Sequence, residues 1–154
     1  MNPTLRKSAL TAHVTSSVGW LGAVACFLVL ATTGMTTADD RLARAAYVVL
    51  EPIGWAVIVP LSFASLVTGL IQAWGTPWGL FRHYWVVAKL LINVLATAAL
   101  LVHMRPIGHL AEAVALTDDL AGMRWQVTVD AAAAVVVLLV ATALSVFKPK
   151  GRIR

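Results

Sequence analysis

The first apolar run of this chain carries side chains that do chemistry as well as packing. In the stretch "HVTSSVGWLGA", residues 13–23, the step from His13 to Trp20 returns to within about 20° on a helical wheel. An imidazole on a membrane-buried face can bind haem iron or another metal, or carry a proton. We therefore expect His13 and Trp20 to line a buried site. The alternative is a histidine at the helix end that hydrogen-bonds to lipid headgroups.

A second polar stripe lies in the run "RHYWVVAKLLINVLATAALLVH". Trp85, Asn93 and His103 fall within about 40° of Lys89 on the helical wheel. A lysine in hydrocarbon must either snorkel to the interface or meet a polar partner or ligand inside the bundle. Both alternatives stay open. We expect Lys89 to converge with His13 near the inner face, and His103 to serve a second, outer site.

The outer half of the chain holds further candidate ligands. Glu51, His103, His109 and Asp130 are expected near the outer face, where they would form ion pairs, a proton relay or a metal site for an ion such as copper. The single cysteine and the lack of a methionine-rich stripe do not favour a copper(I) site.

Four long apolar segments carry these residues. The chain is 60% hydrophobic and 12% charged, with mean hydropathy +0.83, whereas soluble domains are about 25% charged. A membrane span needs roughly 20 apolar residues, and we place the spans at about 10–33, 47–72, 84–104 and 127–147. Continuous apolar runs rather than alternation exclude barrel strands. We predict an all-α, integral membrane four-helix bundle with up-down-up-down topology, as a single domain over 1–154.

The basic residues predict the orientation. With four spans both termini share a side, and that side carries eight of the twelve Lys and Arg residues. By the positive-inside rule both termini are cytoplasmic, and the protein is a multi-pass protein of the inner or plasma membrane. The seven acidic residues fall towards the outer side. The tail "KPKGRIR" then faces anionic lipid, so the bilayer is the expected partner and nucleic acid is not.

Three local features bear on packing. Pro60 is expected to kink the second span. The outer connection 105–126 has Ile107, Leu110 and Val114 at helical spacing, which indicates a short amphipathic helix on the outer surface. Small residues, such as the run 131–134, allow close helix contact, within a homodimer or a larger membrane complex as well as within one chain.

The motif of the first span resembles a known signature. His13, Trp20 and Gly22 in "HVTSSVGWLGA" match the HxxxxxxWxGG pattern of the CopD copper-resistance domain and its small four-helix relatives. The segment "VVAKLL" around Lys89 is similar to the Lys-containing helix of those families. HemJ-type protoporphyrinogen oxidases look like distant members, with a His-to-Trp first helix and a Lys-bearing later helix.

The resemblance implies a cofactor. In the HemJ-type family the histidine and lysine are essential and the protein is associated with haem b. By that resemblance, this chain binds haem b between its helices for electron transfer or membrane redox chemistry, with His13 as axial ligand, Lys89 at a haem propionate or near the second axial position, and Trp20 and His103 as further contacts. The alternatives are CopD-like copper handling through His103, His109, Glu51 and Asp130, and a non-catalytic subunit of a larger membrane complex. Whether the protein is an enzyme stays open.

Overall fold

The structure, a computed structural model, consists of four long helices. It describes residues 2–75, 84–113 and 121–147, and beyond Met104 the only described side chain of the third helix is that of Ile107. The helices are α1 (Pro3–Thr36), α2 (Asp40–Gly75), α3 (Tyr84–Ala113) and α4 (Ala121–Phe147). Each is long and apolar enough to cross a membrane, and the described ranges contain no strand. The predicted all-α four-helix bundle is confirmed, as a multi-pass membrane protein.

Helices α1 and α2 extend past their predicted spans at both ends, α3 extends past the end of its span, and α4 begins before the start of its span. In α1, Pro3 takes an early helical position where its missing N–H costs nothing, and the Asn2 side chain accepts from the Thr4 N–H at 3.1 Å. In α2, the Asp39 carboxylate accepts from the Arg41 N–H at 2.9 Å. Both caps precede the predicted spans, so these two helices begin before their apolar stretches.

Helix neighbours form a ring. Because the link 37–39 is so short, α1 and α2 must be antiparallel, and their contacts run in reverse order, Gly19 against Leu61 and Gly34 against Tyr47. Helix α1 packs on α2 and α4, and α3 packs on the same two helices. Helices α1 and α3 therefore lie diagonally across the bundle.

The second helix contains a π-helical turn. Residues Gly54–Ile58 form it, and the Val59 N–H bonds to the Gly54 carbonyl. Pro60 follows directly; its ring would collide with the carbonyl of Ala56 in a regular α-helix, and the wider turn relieves that collision. The sequence predicted a kink at Pro60. The structure has a π-helical turn before this proline, and the helix continues to Gly75.

We call the end of the bundle next to the α1–α2 link the outer end, after the predicted orientation, and the opposite end the inner end. The outer half of the core is packed around two glycines. A Cβ on Gly34 would lie 2.7 Å from Cε2 of Tyr47, and one on Gly54 would lie 2.5 Å from Cε of Met104. Tyr47 and Met104 are fully buried. The Arg124 guanidinium lies 5.4 Å from the centre of the Tyr47 ring, a cation–π contact. These contacts join all four helices at the outer end.

The predicted separate helix on the outer surface is wrong for its first half. Helix α3 continues without a break to Ala113, because Ile107 is buried in the common core rather than placed on a membrane surface. Val114 and the rest of 114–120 lie outside the described residues.

Candidate functional site

A cavity lies inside the bundle, mainly between α3 and α4. Its volume is about 440 Å³, within the range of about 300–1,000 Å³ typical of ligand pockets. Trp20, Val24 and Phe27 of α1 form the back wall together with Ile58 of α2. The two sides are formed by α3 (Ile92, Leu95, Ala96, Ala99, Leu100, His103, Ile107) and α4 (Gln126, Val127, Asp130, Ala131, Ala133, Ala134, Val137, Leu138).

The cavity opens sideways towards the bilayer. Five of its lining residues are also exposed on the outside of the bundle: Leu95 is 66% exposed, Val137 is 37% exposed, and Ala99, Gln126 and Ala133 are exposed as well. The alanines explain the gap, because small side chains leave α3 and α4 without a seal. From Ile92 to Ile107 the lined part of α3 is about 20 Å long at 1.5 Å per residue. The cavity is therefore an elongated slot that lipid-dissolved molecules can enter.

Three polar side chains lie towards one end of this slot: His103, Asp130 and, one helical turn from Asp130, Gln126. His103 Nε2 lies 3.1 Å from Asp130 Oδ2, and each side chain is 37% exposed. His103 Nδ1 lies 2.7 Å from the Ala99 carbonyl oxygen. Since a carbonyl can only accept, Nδ1 carries a proton and donates it.

His103 and Asp130 meet at the distance of an ion pair, but without a well-formed hydrogen bond. Asp130 Oδ2 is buried and has no hydrogen-bond partner among the described residues, although His103 Nε2 lies 3.1 Å away. An imidazole beside a carboxylate can offset its charge, which lowers the free-energy cost of holding the carboxylate at a membrane cavity.

His13 lies in a different place. Its Nδ1 is 3.1 Å from both the Ser65 carbonyl oxygen and Thr68 Oγ1, so the Nδ1 proton points at α2. Gly69 makes room, because a Cβ there would lie 3.2 Å from His13 Cε1. His13 does not line the cavity.

These contacts belong to a row of hydrogen bonds that we call the inner seam, formed by Ala9, His13 and Ser17 of α1 with Ser65, Thr68 and Gln72 of α2. Ser17 Oγ and Ser65 Oγ are 2.8 Å apart, and Gln72 Nε2 donates to the Ala9 carbonyl at 3.2 Å. Polar side chains that bond across helices satisfy each other where water is scarce. The inner seam is thus a helix–helix contact.

Lys89 stays near the inner end, as its position predicts. Its Nζ lies 5.8 Å from the centre of the Trp85 ring, one helical turn away. Lys89 is not part of the cavity wall. Of the four predicted cofactor contacts, Trp20 and His103 line the cavity, whereas His13 and Lys89 lie on the inner side of it.

Of the four predicted metal ligands, His103 and Asp130 meet. In the described part of the chain no three His, Cys, Asp or Glu side chains are arranged to hold a metal ion, so Glu51 does not complete a metal site with this pair. The His109 side chain lies outside the described residues. A metal site here would need His109 as its third ligand, and it stays a prediction.

Sequence reasoning missed the opening itself. Ala99 and Ala133 belong to no recognisable motif, yet their small side chains create the entrance. The Ala99 carbonyl also accepts the hydrogen bond that fixes the proton of His103 on Nδ1. The available signal was the alanine-rich run of α4 facing a histidine on α3. The contact of His13 with Ser65 and Thr68 was not predicted either.

No protein-family model, curated protein or solved structure matches this chain.

Proposed function

We propose that this protein binds a large, membrane-dissolved molecule in the slot between α3 and α4. The observation that carries the proposal is a largely apolar cavity of about 440 Å³ that opens between α3 and α4 and has three polar side chains, His103, Asp130 and Gln126, towards one end. An apolar wall with a few convergent polar groups is the usual composition of a ligand site.

The depth of these polar side chains supports an amphipathic occupant. His103 lies near the outer end of the apolar stretch Tyr84–Met104 of α3, at the level where hydrocarbon meets headgroups. The slot continues inwards to Ile92 and Leu138 along apolar walls. A molecule with a polar head and an apolar tail matches this gradient, with its head at the polar side chains and its tail towards the bilayer centre.

Extraction of the purified protein tests this proposal. Protein isolated from its native membranes is extracted with organic solvent, and the extract is compared by mass spectrometry with that of Ala99→Leu, whose longer side chain stands in the entrance. The matched control is Ala98→Leu, which adds the same bulk to an exposed neighbour that does not line the slot. We expect a molecule that is retained by the wild type and the control and is lost from Ala99→Leu. Equal extracts from all three proteins would contradict the proposal.

Haem b is the second candidate occupant, and one observation favours it. Because His103 donates from Nδ1 to the Ala99 carbonyl, its Nε2 has the orientation of a metal-binding histidine whose other nitrogen is fixed by a hydrogen bond. The aromatic side chains of Trp20 and Phe27 offer a wall for a flat macrocycle. Iron ligation would require Nε2 to be unprotonated and the half-exposed Asp130 carboxylate to turn away. The residues fit on those terms, with His103 as the iron ligand.

Bound haem would supply one-electron redox chemistry, and the chain would orient it. The visible spectra of the purified protein, oxidised and dithionite-reduced, test this candidate. We expect a Soret band and sharp reduced α and β bands that disappear in His103→Ala. A spectrum lost in His13→Ala and kept in His103→Ala would place the haem at the inner seam instead, and a featureless wild-type spectrum after expression with ample haem would exclude it.

A further inference from the structure

The charges around the slot bear on what it can bind. Among the described residues that line it, Asp130 is the only acid, and none is a lysine or an arginine. Arg124, the only basic residue of α4, is not in the lining; its guanidinium lies over the Tyr47 ring, 5.4 Å from the ring centre. The described lining therefore carries one formal negative charge, at its polar end.

The Asp130 carboxylate has unused hydrogen-bonding capacity. An ionised carboxylate offers about four acceptor positions, and Oδ2 has no hydrogen-bond partner among the described residues. The His103 imidazole can offset the charge, but it leaves this acceptor unused. Asp130 lines the slot and its side chain is 37% exposed, so a ligand can reach the carboxylate. A cationic donor in the slot would supply a compensating charge and a hydrogen bond together.

Gln126 adds a second acceptor beside this carboxylate. It lies one helical turn from Asp130, about 6 Å along α4 at 1.5 Å per residue, and its exposed side chain lines the slot. An amide oxygen accepts hydrogen bonds, and its NH₂ group donates them. A primary ammonium has three N–H donors, so one nitrogen can bond to the carboxylate and to the amide oxygen at the same time.

We propose that the occupant of the slot is an amphipathic cation, an ammonium group on an apolar tail, whose N–H groups donate to the Asp130 carboxylate and to Gln126. This inference rests on the proposed binding of a membrane-dissolved molecule in the slot. The ammonium lies at the polar end, and the tail follows the apolar walls inwards to Ile92 and Leu138. The opening between α3 and α4 lets such a molecule enter from the side.

Other headgroups match the polar end less well. An anionic head would face the Asp130 carboxylate, and like charges repel strongly where water is scarce. A neutral hydroxyl can donate to the same carboxylate, but it has one hydrogen and brings no charge. The charge of the headgroup therefore separates the classes of ligand, and an amine and an alcohol with the same tail isolate it.

The test compares dodecylamine, which is an ammonium at neutral pH, with dodecanol. Each is titrated into nanodiscs of phosphatidylcholine, with and without the protein, and the bound excess is measured after capture of the nanodiscs. We expect the wild type to bind the amine about tenfold more tightly than the alcohol, because the ammonium adds an ion pair and a second hydrogen bond.

Variants assign this preference to one carboxylate. In Asp130→Asn the preference is expected to fall below about threefold while the alcohol still binds. Asp130→Ser repeats the removal of the charge with a smaller side chain, in case the amide disturbs the packing. The matched control is Glu51→Gln, which removes the same charge from a residue that does not line the slot, and it keeps the preference of about tenfold.

Three results overturn the inference while the proposed function stands, provided that Ala99→Leu blocks both probes. They are equal or tighter binding of the alcohol by the wild type, a preference of about tenfold that survives in Asp130→Asn, and an equal loss of preference in Glu51→Gln. If Ala99→Leu leaves the binding of both probes unchanged, the slot is not the binding site, and the proposed function fails together with the inference. If neither probe binds to the wild type, the inference fails alone, and the solvent extraction described above decides the proposed function.

Discussion

At the scale of single residues, the polar groups of this protein divide by what they touch. His13 is bonded to α2 and belongs to the inner seam, whereas His103 lies on the wall of the slot with Asp130. The two histidines share one feature, a protonated Nδ1 directed at a backbone carbonyl. What differs is their position: His103 lines the slot and His13 does not, so His103 is the histidine with access to a ligand in the slot.

Gly34 provides a stability prediction at this scale. A Cβ there would lie 2.7 Å from Cε2 and 2.9 Å from Cζ of the fully buried Tyr47 ring. Gly34→Ala must therefore push apart α1 and α2, and we expect a loss of about 1–3 kcal/mol of unfolding free energy. Titration of the folded protein with a denaturing detergent measures it.

Gly22→Ala is the matched control for that prediction. Nothing lies within 4 Å of a Cβ at Gly22, so the greater helix propensity of alanine leaves stability unchanged or raises it by up to about 1 kcal/mol. If both alanine variants behaved alike, the close approach of Gly34 to Tyr47 would have no energetic role.

At the scale of elements, hydrogen bonds of the inner seam join α1 and α2 at the inner end of the bundle. At the outer end the same two helices are joined by the close contact of Gly34 with Tyr47. His13→Ala removes the side chain that meets the Ser65 carbonyl and Thr68 Oγ1. We expect it to lower the unfolding free energy by about 1–2 kcal/mol, as for interhelical hydrogen bonds in membranes. Thr11→Ala is the control, since Thr11 is exposed and bonds only to its own helix at Lys7, and it is expected to stay within about 0.5 kcal/mol of wild type.

The same pair of variants separates two roles of His13. A helix–helix contact predicts a stability loss with no change in bound molecules, whereas an axial ligand predicts loss of a visible absorption band. If His13→Ala were as stable as Thr11→Ala, the seam would contribute nothing and the hydrogen bonds of His13 would need another explanation.

At the scale of the whole molecule, the distribution of charge predicts the orientation in the membrane. Eight basic residues lie on the side of both termini and four on the opposite side, so we propose cytoplasmic termini and an outward-facing His103–Asp130 pair. Reporter fusions at each terminus test this, with a cytoplasmic reporter expected to be active at both and an exported reporter inactive. The opposite pattern would place the polar end of the slot at the inner leaflet, and activity at only one terminus would contradict an even number of spans.

The four helices were predictable from the sequence because helix formation in a membrane depends on local properties. An apolar run of sufficient length must satisfy its backbone hydrogen bonds internally, and a helix does so whatever its neighbours are. Short connections then make sequential helices antiparallel. For the same reason the helical wheel could place Lys89, Asn93 and His103 on one face of α3, although of these three only His103 lines the slot.

The sequence by itself determined which residues share a helix face, but only the tertiary structure decided which face meets which. His13 and Trp20 lie on one side of α1, yet α2 covers the first and the cavity adjoins the second. That outcome depends on the rotation and depth of each helix, which follow from non-local packing such as Gly34 against Tyr47 and Gly54 against Met104. The gap between α3 and α4 has the same origin, because an alanine leaves a slot only where no larger side chain from another helix fills it.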